Sequence, residues 1–124
     1  MNVSWDDDDG EHDDTAEWRA VSDLIESLDG DERTHVSLGD GEAHLVCGGS
    51  AKQGLVLFVG LEGEIHQLLS ETHRGEEEMV ELVAAGQPGE YPVKFVVDVA
   101  SARKAARTFM EDGAVDPSLE WERQ

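Results

Sequence analysis

The sequence predicts an α+β fold: a single, mostly antiparallel sheet of five or six strands, flanked by an N-terminal and a C-terminal helix. Three observations point there. Residues 15–29 and 99–112 carry apolar side chains at helical spacing. Between them lie short runs that are wholly apolar or alternate with a period of two, each bounded by turn residues. The connections between those runs are of hairpin length, which joins antiparallel neighbours; parallel strands need long crossovers. A chain of 124 residues supports one core, so residues 15–124 are expected to form a single domain.

Residues 1–14 come first and are set apart by charge. The run Asp6–Asp9, with Glu11, Asp13 and Asp14, leaves little to bury. Like charges repel, so this segment is expected to be a disordered acidic tail, dispensable for folding. Trp5 is its odd member: an exposed aromatic in a loose arm or, alternatively, an anchor that docks on the core or a partner. The first helix is then expected over residues 15–29. Asp14 and Glu17 have capping-box spacing, Trp18, Val21, Leu24, Ile25 and Leu28 form the stripe, and Gly30 ends it.

Strands are expected at 34–38 and 42–47, joined through Gly39-Asp40-Gly41. Residues 55–61 (LVLFVGL) are almost wholly apolar, which suits a central strand buried on both faces. Glu62-Gly63 makes a tight turn into a strand over 65–69. Glu76–Glu78 lead into a strand over 79–84. Residues 86–92, rich in Gly and Pro, read as a connection. A last strand is expected where Val93, Phe95 and Val97 alternate. Asp98 stands at an N-cap position. Val99, Ala102, Ala106 and Phe109 form the stripe of the second helix, Gly113 stops it and Pro117 prevents continuation. Trp121 lies in a short polar tail and is expected to fold back onto the core.

That C-terminal arrangement resembles the Immunity protein 1 family of bacterial polymorphic toxin systems. The resemblance rests on an apolar strand, an Ala-rich helix closing on Phe and Gly, then Pro and a final Trp: here Ala102, Ala106, Phe109, Gly113, Pro117 and Trp121. It covers roughly the last quarter of the chain; upstream, only the order and lengths of the elements agree. The resemblance implies a protein that binds and neutralises a cognate toxin domain, of nuclease or deaminase type, with no catalysis and no cofactor of its own.

Charge gives that implication a mechanism. The chain carries 29 acidic and 9 basic residues, a net charge of −20. Such a chain repels nucleic acid and anionic membranes and attracts basic partners quickly at low salt. The start, MNVSWDDDD, lacks the basic and apolar regions of a signal peptide, which makes the cytoplasm the expected location. Two other readings stay open. One is an acidic housekeeping domain of a halophile, which a low-salt melting curve would reveal. The other is a small α+β ligand-binding domain, which needs an apolar pocket with convergent polar groups.

Candidate chemistry is sparse. Gly48–Gly54 (GGSAKQG) looks like a phosphate loop, but Lys52 is followed by Gln53 and then by a strand, so a hairpin loop is the better reading. The five histidines show no zinc spacing; His35, His44 and His66 fall within predicted strands. Cys47, the lone cysteine, stands three residues from His44, which puts the two on opposite faces of a strand. Ser50 lacks a nucleophile-elbow context. The surface expected to meet a toxin is acidic: Glu62, Glu64, Glu76, Glu77, Glu78 and Glu81, at turns and edges where a partner can reach them.

Overall fold

Two layers organise the chain, a seven-stranded sheet and a pair of helices on one of its faces. The computed structural model describes residues 1–39, 42–71 and 78–124. Strands β1 (Asn2–Asp7), β2 (Gly10–Thr15), β3 (His35–Gly39), β4 (Ala43–Ser50), β5 (Gly54–Leu61), β6 (Glu64–Leu68) and β9 (Trp121–Arg123) form one sheet in the order β2-β1-β3-β4-β5-β6-β9. Every pairing is antiparallel. Strands β7 (Met79–Ala84) and β8 (Gln87–Pro92) form a separate two-stranded sheet. Helices α1 (Trp18–Glu26) and α2 (Val99–Asp112) pack on β3, β4 and β5 and on each other. The fold is α+β with an antiparallel sheet, as the sequence predicts.

The core follows from strand alternation. Val3, Val36, Leu38, Leu45, Cys47, Leu55, Leu57, Val59 and Leu68 face the helices and are buried with Val21, Ile25, Ala102, Ala105, Ala106 and Phe109. α2 agrees with its expected bounds because its stop signals are local. The Asp98 carboxylate accepts the Ser101 N–H at 2.8 Å. Gly113 takes the left-handed conformation (φ 65°) that closes the helix, its N–H donating to the Phe109 carbonyl. Trp121 folds back onto the core, and Nε1 donates to the Asp116 carbonyl at 3.0 Å. It also sits in a strand, β9, which the polar tail did not suggest.

Four expectations are corrected. Residues 1–14 form the β1–β2 hairpin, not a disordered tail. Val3 (1% exposed) enters the core, while the carboxylates of β2 and of the turn stay solvated at the sheet edge, where repulsion is screened. α1 is shorter than 15–29, and no capping box forms. Asp14 belongs to β2, and Glu17, at the N-cap, makes no side-chain bond. Residues 86–92 are not a loop. Pro88 and Pro92 are accommodated in β8 because β8 pairs on one side only, with β7. The expected strand over 93–97 is a 3-10 turn, Val93–Phe95, followed by a single bridge between Val97 and Leu55. Pro92 and the turn carry the chain from the small sheet to the large one. Asp40 and Gly41 of the expected Gly39–Gly41 loop lie outside the described residues.

Asp6 ties the hairpin to both sheets. Its carboxylate accepts from the Thr34 N–H (2.7 Å), the Thr34 hydroxyl and the His35 N–H (2.9 Å). Thr34 Oγ1 in turn accepts the Gly86 N–H at 2.8 Å, in the β7–β8 turn. Asp6→Ala leaves two backbone donors of β3 and its approach without acceptors, and should cost about 2–3 kcal/mol by urea unfolding.

The same bonds predict the acid response. Burial raises the Asp6 pKa, but the Thr34 and His35 donors outweigh it and the net position lies below 3.8. Asp116, held by Ser118 and Thr108, and Asp29, held by the N–H groups of Asp31, Arg33 and Glu32, also lie below that value. A depressed carboxyl stabilises the fold above its unfolded pKa, and that stabilisation is lost as pH falls through the folded value. Stability should therefore fall with acid below about pH 4, and replacing the three by Asn should flatten that limb of the stability curve.

Candidate functional site

The sheet face opposite the helices is where the fold leaves apolar surface uncovered. One cross-strand row spans all seven strands: Asp13, Ser4, Ser37, Val46, Phe58, Gln67 and Glu122 are successive register partners. Their chain neighbours Val3, Val36, Leu38, Leu45, Cys47, Leu57, Val59 and Leu68 are buried on the helix side, so the row faces away from the helices. No member of the row is buried. At about 4.8 Å per strand the row is about 29 Å long.

A second row, Gly39, His44, Gly60 and Ile65, runs beside the first. His44 lies over Gly60, where a Cβ would collide with the imidazole, so a larger residue there would displace the ring. The ring meets Phe58 edge-on, with centroids 6.0 Å apart at 88°. Ile65 is 42% exposed. A third row, His35, Gly48 and Val56, is closed over by the small sheet. Ala84 packs on Gly48, and the Ala85 N–H donates to the Thr34 carbonyl at 3.2 Å. Leu82, in the small sheet, is 2% exposed.

The uncovered surface is thus an apolar centre, Val46, Phe58 and Ile65, with polar and acidic ends. Neither open row holds a lysine or an arginine. Lys94 bonds Glu122, at the end of the first row, at 3.1 Å, and that bond holds the Glu122 carboxyl below its ordinary range. An apolar centre with a charged rim is the layout of a protein-binding surface.

Of the six glutamates expected to form a binding surface, the four described ones are divided between the β5–β6 hairpin and the start of the small sheet. Glu62 is exposed at the β5–β6 turn, where it and Gly63 both take positive φ (51° and 82°), as a two-residue hairpin requires. Glu64 pairs in register with Leu61, which packs on the core, and lies 3.4 Å from Arg123 Nη1 and 4.0 Å from His66 Nε2. Glu78 and Glu81 belong to the small sheet. Glu81 stands opposite Glu90 and next to the buried Leu82, which points it outward. Glu76 and Glu77 lie outside the described residues.

Other candidates resolve into structure. Burial pushes the Cys47 thiol up to about 12, which makes it inert as a nucleophile, and its strand neighbour His44 lies on the opposite face. His66 pairs with Val59 on the helix side while His44 pairs with Gly60 on the open side, so the two do not converge. Ala51–Gln53 is the β4–β5 turn, with Ser50 Oγ accepting from the Lys52 and Gln53 N–H groups. A cleft of about 390 Å³ opens between this turn and the start of α2. Asp98, which caps that helix, lines it.

Fold and face together define a small α+β protein, one side of whose sheet is only partly covered. The chain belongs to the Immunity protein Imm1 family: the family model matches residues 9–123, which takes in β2 and everything after it. Comparison with curated proteins found no match. Toxin immunity is therefore the function its family carries, and a toxin is its class of partner. No described helix is long and apolar enough to cross a membrane.

Proposed function

We propose that this protein neutralises a toxin domain of nuclease or deaminase type by laying the open face of its sheet over the toxin's active site or substrate groove. One observation carries the choice of face. Phe58, at the centre of a strand apolar on both sides, stays only partly buried because the small sheet covers one end of that face and stops. A partner completes the burial that the sequence calls for. A face about 29 Å across also matches a standard interface of about 800 Å² per partner.

Charge supports the class of toxin. An enzyme that acts on nucleic acid must hold phosphates, so its groove is basic. A chain of net charge −20 complements it and associates fast. Glu62, Glu64, Glu76, Glu77, Glu78 and Glu81 then contribute the acidic charge that steers the approach, with the bulk of the affinity resting on the apolar centre. The association rate should accordingly fall as salt rises, with a smaller change in dissociation. The test is co-expression with the toxin domain encoded beside this chain's gene. Survival of the host is expected. Death of cells that hold soluble, folded protein would refute the reading.

A further inference from the structure

We propose that the free edge of β2 takes an extended, Lys- or Arg-rich segment of the toxin as an eighth strand, with an apolar side chain of that segment seated in the cleft beneath the hairpin. The identity of the occupant rests on the toxin-binding reading above. The edge itself is argued from geometry and charge.

β2 pairs with β1 on one side, is six residues long, and is exposed at five of them. The opposite edge, β9, has only three residues, so β2 offers the longer template. Backbone direction is fixed by the Ala16 N–H, which donates to the Met1 carbonyl. Alternation then turns the N–H and C=O groups of Asp14, His12 and Gly10 towards β1 and those of Glu11 and Asp13 away from the sheet. The Thr15 N–H, also outward, is taken by Asp14 Oδ1 at 2.7 Å. Glu11 and Asp13 therefore present the open donors and acceptors of the edge.

Charge selects the occupant. Glu11 and Asp13 point to the open face, Asp14 to the helix side, and Asp7–Asp9 sit at the turn. A second copy of β2 would set carboxylates against carboxylates, which is destabilising directly across a ladder. A strand with basic residues on the open-face side is favoured by the same register. On the helix side a cleft of about 780 Å³ separates the hairpin from α1, lined by Trp5, Ala16, Ala20 and Leu24 with Asp14 and Asp23. Arg33, also on its wall, is engaged by the Asp6 carbonyl and Ser27 Oγ. An added strand would send alternate side chains into that cleft. The edge is continuous with the open face, whose first row begins at Asp13.

The test is amide exchange of the whole chain, free and bound to a catalytically inactive form of the toxin domain encoded beside it. The Glu11 and Asp13 amides should slow on binding. Asp13→Pro removes an outward N–H and keeps the β1 pairing, and should weaken the complex by about tenfold, the worth of one or two lost backbone bonds. Ala20→Trp, which fills the cleft from α1 and leaves the sequence of β2 unchanged, should weaken it comparably and serves if the proline variant unfolds the hairpin. A complex that forms with Glu11 and Asp13 exchange unchanged, and that tolerates both variants, would overturn the edge while leaving toxin binding intact. Absence of any complex would sink the toxin-binding reading and its occupant together. Dimers of the chain alone, with Glu11 and Asp13 protected, would mean that a second copy holds the edge, and would also overturn the proposal.

Discussion

Phe109→Ala should remove about 3–5 kcal/mol from the stability of the domain, read as a lower urea midpoint at unchanged slope. Phe109 is 1% exposed and is among the largest of the fully buried side chains. It projects from the last turns of α2 into the cluster that holds α1, α2 and the sheet together. Its neighbours on the same stripe are Ala102, Ala105 and Ala106, too small to collapse into the space it leaves. Domains of this size are stable by about 5–15 kcal/mol, so one truncation takes a large share. A change below about 1 kcal/mol would show that α2 is not seated on the sheet through this residue.

The second large effect falls on binding. Phe58→Ala should weaken the toxin complex by about 2 kcal/mol or more, roughly thirtyfold, with little effect on folding. Phe58 stands fifth of the seven residues in the longest open row, beside its middle member Val46, with Gln67 on its other side and His44 bracing it. Central aromatics in desolvated positions carry most of an interface's energy, and rim charges carry little. The contrast is a variant with Glu62 and Glu81 replaced by Gln, which should slow association and leave dissociation nearly unchanged. Calorimetry separates affinity from stopped-flow rates. An unchanged affinity for Phe58→Ala would move the contact surface elsewhere.

The parts of the fold legible in the sequence are those set by neighbouring residues. Asp98 and Gly113 bracket α2 because capping and left-handed closure are local events. Glu62-Gly63 marks its hairpin for the same reason. The β1–β2 hairpin was hidden because the charges of Asp7–Asp9, Glu11, Asp13 and Asp14 outnumber its two apolar side chains, Val3 and Trp5, which face the helices. What offsets that repulsion is tertiary: the Thr34 and His35 donors on Asp6 lie 28 and 29 residues away. β8 was hidden by Pro88 and Pro92, which are permitted because, among the described residues, β8 pairs with β7 alone.

The candidate site was legible only as a discrepancy. Residues 55–61 ask for cover on both faces, and the sequence supplies two helices for one face and a short hairpin for part of the other. Which residues remain uncovered depends on where the small sheet stops, at Gly48 and Thr34, and no local pattern records that. Acidic clusters stand out in a sequence; a half-covered Phe58 does not. Of the glutamates chosen by composition, Glu62 and Glu64 fall at the β5–β6 hairpin and Glu78 and Glu81 in or beside the small sheet, while the apolar centre emerges from packing.

The most direct measurement is methyl NMR of the labelled protein titrated with the inactive toxin domain. Val46 and Ile65 lie on the open face, while Val99 and Val115 lie partly buried against the helix-side core. The open-face account requires the Val46 and Ile65 methyls to shift and broaden on complex formation, with Val99 and Val115 little changed. Shifts confined to Val99 and Val115, with Val46 and Ile65 unmoved in a saturated complex, would contradict it.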